Sequence, residues 1–170
     1  MNRKNSQFIF CVKCKGTLTL DVFDETFEIN EGFFFCNYCH LKFPIISKIP
    51  ILVENLSKFL ANRSSLGGLL LELSLTKVMK EFIKNTISKI QKSENDFFPT
   101  EKRWVDIYLL NKKSSFYKNI KLYISKIPQK NFVVEYGSSI GIISNTLGLK
   151  HTHVFGIDTS FQALLEAKNK

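Results

Sequence analysis

Four cysteines, arranged as two Cys-x-x-Cys pairs, constrain this chain more than any other feature. Cys11-Val-Lys-Cys14 and Cys36-Asn-Tyr-Cys39 are separated by twenty-one intervening residues. A tight turn of this kind presents two thiolates to one side, and two such turns supply the tetrahedral donor set that zinc prefers, with Zn–S of about 2.3 Å. Iron bound by four sulfurs, disulfides and free thiols are chemically open, but no accompanying redox motif favours them. The reading is therefore one structural Zn2+ held by Cys11, Cys14, Cys36 and Cys39. Four thiolates leave no coordination position for a reactive water, which argues against a catalytic metal. His40 follows Cys39 directly and is read as a neighbour of the site rather than a ligand. Metal binding would supply folding free energy to a segment whose own core is small.

The sequence around the cysteines reads as short strands. Thr17-Leu-Thr-Leu alternates in strand fashion until acidic residues interrupt it. Phe27-Glu-Ile-Asn-Glu-Gly32 reads as a further strand ending in a turn, after which Phe33-Phe-Phe enters the second knuckle. Residues 1–53 thus form a candidate zinc-ribbon domain. Cys11-Val-Lys-Cys14-Lys-Gly16, Glu28-Ile-Asn-Glu-Gly32-Phe-Phe-Phe-Cys36-Asn-Tyr-Cys39 and Phe43-Pro-Ile-Ile-Ser-Lys-Ile-Pro50-Ile-Leu resemble the small zinc-ribbon activators of methyltransferases over residues 8–53. Members of that family bind and stabilise enzymes that methylate tRNA, rRNA and translation release factors. The resemblance implies a methyltransferase as partner.

Residues 54–129 read as a helical connector or cap. Leu66, Leu70, Leu73, Met79, Phe82, Ile83, Ile87 and Ile90 recur at three- and four-residue intervals, so one long amphipathic helix is expected, its start delayed by Gly67-Gly68. Two shorter helices are expected after it. One follows Thr100 through Trp104, Ile107, Tyr108 and Leu110; the other runs through Phe116, Ile120, Tyr123, Ile124 and Ile127 until Pro128. Trp104, Tyr108 and Tyr123 are assigned to the core. Net charge is +9, and residues 54–131 supply +8 of it, with 15 Lys or Arg against 7 Asp or Glu. Lysines alternating with apolar residues at helical spacing describe solvated helix faces, and the same surplus permits RNA contact through the basic middle.

Residues 130–170 change pattern. Phe132-Val-Val-Glu-Tyr136 reads as a buried-type strand, Gly137-Ser-Ser-Ile-Gly141 as a glycine-bounded turn and Ile142 to Leu147 as a short helix stopped by Gly148. Val154-Phe-Gly-Ile-Asp158 repeats the strand, and Ser160 caps a helix through Ala163, Leu164 and Ala167. Strand, helix, strand, helix suggests a parallel unit. A dinucleotide fingerprint would need glycine at 139 and 142, where Ser139 and Ile142 stand, so NAD is disfavoured.

The same turn is similar to the first motif of class I methyltransferases that use S-adenosylmethionine, an acidic residue followed by Gly-x-Gly-x-Gly. That resemblance implies a cofactor site formed by Glu135, Gly137, Ser139, Gly141 and Asp158, with Asp158 as the ribose-binding acid. Ser139 replaces the middle glycine. If the position requires positive φ, the serine costs about 1–2 kcal/mol and crowds the ligand. The family's domain has about seven strands, of which two are visible here. The expected class is therefore α+β: a four-cysteine zinc ribbon, a helical middle and an incomplete Rossmann-like α/β unit, apparently truncated.

The functional expectation is a zinc-binding methyltransferase-like protein with an unidentified acceptor, whose independent activity and cofactor binding are expected to be weak or absent. A methyltransferase subunit or a missing carboxyl-terminal half would complete it. The alternative is a non-catalytic zinc-binding activator or scaffold. No catalytic residues stand out, and His151 and His153 are read as loop residues before the second strand. The polar, basic start and the short apolar runs suggest no signal peptide and no membrane segment, hence a cytoplasmic protein.

Overall fold

A computed structural model describes residues 1–90 and 97–169. Residues 91–96, inside the segment read as helical, lie outside the described residues. The chain is α+β, with a four-stranded antiparallel sheet, a two-stranded parallel sheet and eight helices among the described residues, one of them a 3-10 helix. It divides into two compact units, Met1–Pro99 and Thr100–Lys170. The helices of the middle segment are shared between them.

In the first unit, a 3-10 helix (Arg3–Phe8) precedes β1 (Leu18–Glu25), β2 (Ile29–Cys36), β3 (Lys42–Ile46) and β4 (Ile49–Pro50), paired in sequence order. β1 continues through Asp21 and Asp24, where the sequence suggested an interruption, because register shifts between Val22 and Glu25 absorb the acidic residues at the sheet edge. β2 likewise runs straight through Gly32 instead of turning there. A Cβ at Gly32 would lie 2.3 Å from the Asp21 carbonyl oxygen, so glycine is required for the close approach of two strands.

The two faces of β2 and β3 serve different cores. Phe34 pairs with Phe43 and Gly32 with Ile45, and this face joins Cys11 and Cys36 in one buried apolar cluster. The opposite face carries Glu31 and Phe33 toward the helices. Those are α1 (Leu56–Ala61), α2 (Ser64–Glu72) and α3 (Lys77–Ile87). Leu60, Leu66, Leu70, Met79 and Ile83 have no exposed surface, while the Phe33 and Phe82 rings meet edge to face at 4.7 Å.

The single long helix expected across Leu66 to Ile90 is two helices. Leu73 turns extended, and Thr76 begins α3 as its N-cap. Glu31, only 1% exposed, accepts the Thr76 N–H at 3.0 Å and the Thr76 hydroxyl at 2.7 Å. A buried carboxylate without donors would cost several kcal/mol, so the chain breaks its helix where it can satisfy one. Gly67 and Gly68 do not delay α2; they lie within it. Ile87 of α3 approaches the space a Gly67 Cβ would fill, at 3.1 Å.

In the second unit, α4 (Phe98–Asn111, from Thr100 onward) and α5 (Ser115–Ser125) lead into β5 (Phe132–Tyr136), α6 (Ile142–Gly148), β6 (His153–Ile157) and α7 (Phe161–Lys168). β5 and β6 pair in parallel, Phe132 with His153 through Tyr136 with Ile157. His153 is thus the first residue of β6 rather than part of the preceding loop. His151 is in that loop but buried, and its Nδ1 accepts the Lys130 N–H at 2.9 Å. Val105, Ile140 and Ala163 form the core, with Tyr108, Leu109 and Ile142 packed on it. The core assignment fails for Trp104 and Tyr123, which are 54% and 72% exposed. α4 turns Val105 inward instead of Trp104, and α5 turns Tyr117, Ile120 and Ile124 inward rather than Tyr123.

Candidate functional site: a four-cysteine centre and a glycine-bounded cavity

The four cysteines converge. Each knuckle is a tight turn closed by backbone bonds. Lys15 N–H donates to Cys11 carbonyl and His40 N–H to Cys36 carbonyl, both at 2.9 Å, and the turns pass through positive φ at Lys15 (61°) and His40 (59°). All four Sγ atoms lie within 4.8 Å of one another. Cys11 and Cys39 are 3.4 Å apart, Cys14 and Cys36 3.3 Å. A disulfide needs about 2.05 Å, whereas thiolates around one zinc stand roughly 3.8 Å apart, the edge of a tetrahedron with 2.3 Å bonds. The donor set and its spacing therefore fit a tetrahedral metal better than a cross-link. The four cysteines are arranged to hold a metal ion, and His40 is exposed and outside that cluster.

The knuckles also tune the sulfurs. Backbone N–H groups of Cys39 and Tyr38 lower Cys36 to about 6 against the opposing effect of burial. At Cys39 the Leu41 N–H favours the thiolate, but burial and the surrounding cysteine sulfurs outweigh it and push that thiol up to about 12. Such a split is what crowding does to four acidic groups sharing one site: some ionise only if others stay protonated. A divalent cation removes the conflict, because it makes every sulfur a thiolate at once.

The second site lies where β5 hands over to α6. Gly137 and Gly141 adopt φ of 71° and 72°, in the left-handed region. At Gly141 a Cβ would also meet the Ala167 Cβ at 2.8 Å, so both conformation and packing against α7 require glycine. Ser139 lies between them at φ 47°, so the cost foreseen for a non-glycine residue applies. Asp158, just beyond β6, holds this loop. Its Oδ2 accepts the Ser139 N–H and its Oδ1 the Ser160 N–H, each at 2.8 Å. Glu135 at the end of β5 accepts the Ser144 hydroxyl of α6. Burial raises the Glu135 carboxyl above the ordinary range, partly offset by Ser144, and Asp158 adds to the rise.

Glu135, Gly137, Ser138 and Ser139 line a cavity of about 240 Å³. Tyr108 of α4 and Phe116 and Tyr117 of α5 line it as well. Among the described residues, the hydroxyls of Ser138 and Ser139 are buried without a hydrogen-bond partner. Of the residues named from the sequence, Glu135, Gly137 and Ser139 line the cavity, Gly141 shapes the helix start behind it and Asp158 acts through the loop backbone. Tyr108, Phe116, Tyr117, Ser138 and Ser144 were not singled out as site residues. Tyr108 and Phe116 carry a packing signal at helical spacing in the sequence, and both line the cavity. No helix of the described residues is long and apolar enough to cross a membrane. No family model and no curated protein matches this chain.

Proposed function

We propose that this chain is a zinc-binding, S-adenosylmethionine-dependent methyltransferase-like protein, in which the four cysteines hold a structural zinc and the β5–α6 loop receives the cofactor. The observation that carries the second half is the loop itself: left-handed glycines at 137 and 141 bracket a cavity at the carboxyl ends of two parallel strands, with two buried hydroxyls unpaired beside it. Crevices at the carboxyl ends of parallel strands are where open α/β sheets bind ligands. The cofactor, when bound, supplies a sulfonium-activated methyl group. Glu135, Gly137, Ser139 and Gly141 would form the loop that holds it. Asp158 keeps the loop closed through its two backbone bonds, and its remaining lone pairs are free for ribose hydroxyls.

A second reading, a non-catalytic zinc-binding activator or scaffold, draws on Asp158. Both of its oxygens already accept backbone N–H groups, so this carboxylate has donors without a ligand. An NMR titration of the full chain with S-adenosylmethionine separates the two. Shifts of the Gly137, Ser139 and Gly141 amides that saturate at millimolar ligand or below, and vanish in Asp158→Ala, support the cofactor site. Unmoved amides at those concentrations leave the scaffold reading.

A further inference from the structure

We infer that Tyr108, Phe116 and Tyr117, contributed by the two helices ahead of β5, form a cation-accepting wall that recognises the sulfonium of the cofactor; this rests on the functional reading above. Three facts carry it. First, the cavity next to the glycine loop is lined by three aromatic residues, of which Phe116 and Tyr117 meet edge to face with centroids 5.3 Å apart. Second, among the described residues that line the cavity, Glu135 is the only charged one. Tyr117 feels that carboxylate: burial raises its hydroxyl above the ordinary tyrosine range, and the negative potentials of Tyr108 and Glu135 add to the shift. Third, the residues between 100 and 130 include eight Lys or Arg, and every one of them is exposed and none lines the cavity.

A cavity lined by three aromatic rings and one carboxylate, with no Lys or Arg among the described residues of its lining, suits a positive ligand. An organic cation offers ring faces the attraction of its charge without the dehydration cost of a metal ion or an ammonium, and aromatic cages use this for quaternary ammonium groups. Sulfonium is chemically equivalent in this respect. The rings and the single carboxylate of Glu135 line the same cavity.

The test compares S-adenosylmethionine, which carries the sulfonium, with S-adenosylhomocysteine, its neutral thioether, in NMR titrations of the full chain and two variants. Tyr117→Leu is expected to weaken S-adenosylmethionine about fivefold while leaving S-adenosylhomocysteine within about twofold, the size of one ring–cation contact. Tyr117→Phe keeps the ring face and is expected to restore the wild-type ratio. Equal losses for both ligands in Tyr117→Leu, or no loss for either, overturn the cation wall while the cofactor site stands. Binding of neither ligand by the wild-type chain overturns the functional reading, and this inference with it.

Discussion

Ser139 donates its backbone N–H to the Oδ2 atom of Asp158 at 2.8 Å, across nineteen positions of sequence. The bond joins the loop after β5 to the end of β6, and the other oxygen of the same carboxylate holds the Ser160 N–H at the start of α7. One side chain thereby fixes both loops at the carboxyl ends of the strands.

Removing that acceptor should loosen the second unit. Hydrogen bonds to a charged group contribute about 1.5–3 kcal/mol each, and Asp158 is only partly buried, so Asp158→Ala is expected to cost roughly 2–3 kcal/mol. Asp158→Asn retains one carbonyl acceptor and should cost about half as much. Hydrogen exchange at the Ser139 and Ser160 amides reads the effect directly; protection equal to wild type in Asp158→Ala would contradict the clamp.

Ser139 itself occupies φ 47°. Left-handed backbone costs an L-residue about 1–2 kcal/mol, while glycine loses roughly 0.5–1 kcal/mol more entropy on folding. Ser139→Gly should therefore come out ahead by only about 0.5 kcal/mol, and Ser139→Val, branched at Cβ, should lose at least 1 kcal/mol. Chemical denaturation of the three proteins checks the order Gly, Ser, Val, and a valine variant as stable as wild type would remove the argument.

Glu135 gives a pH dependence with a definite sign. Burial raises its carboxyl in the folded chain, so the folded state binds the proton more tightly than the unfolded state does. The stabilisation is complete below the ordinary carboxylate value and is lost as pH rises through the raised one. Glu135→Gln cannot ionise, so across that window the stability difference between variant and wild type should shift in favour of the variant as pH increases. Thermal melts from pH 4 to 8 measure it; a difference independent of pH would refute the assignment.

The cysteine centre predicts about one zinc per chain in protein purified without added metal, measured by elemental analysis. Cys36→Ser should lose the metal and loosen residues 1–53, since the buried cluster of Phe34, Phe43 and Ile45 includes Cys11 and Cys36. Folded protein that carries no metal would end the zinc reading.

Polyanion affinity should reside in the basic helices. Lys112, Lys113, Lys118 and Lys121 are all exposed. Replacing the four with Gln should weaken retention on heparin or RNA and flatten its salt dependence, because fewer counterions are released. Retention unchanged by the substitutions would place the affinity elsewhere.

How much of this could be read from the chain alone follows from the range of the forces involved. The paired cysteines, the Ser160 cap, the glycine-bounded turn and the β5 and β6 strands are written in residues a few positions apart. Local spacing was enough to place them. The two knuckles could also be paired from sequence, since four thiolates have few other partners. What only the tertiary structure decided depends on residues distant in sequence. Glu31 on β2 ends one helix and starts another by holding Thr76, forty-five positions away, and no periodicity within residues 64–87 reveals that. Gly32 reads locally as a turn, yet it is a strand residue because the Asp21 carbonyl passes too close for any Cβ. Tyr117 stands outside the stripe that Phe116, Ile120, Tyr123, Ile124 and Ile127 mark in the sequence, and only the approach of α5 to the loop that begins twenty positions later makes it a lining residue of the cavity. Backbone propensity and spacing act within a turn or two of chain, whereas burial of charge and steric approach are settled only when distant segments meet.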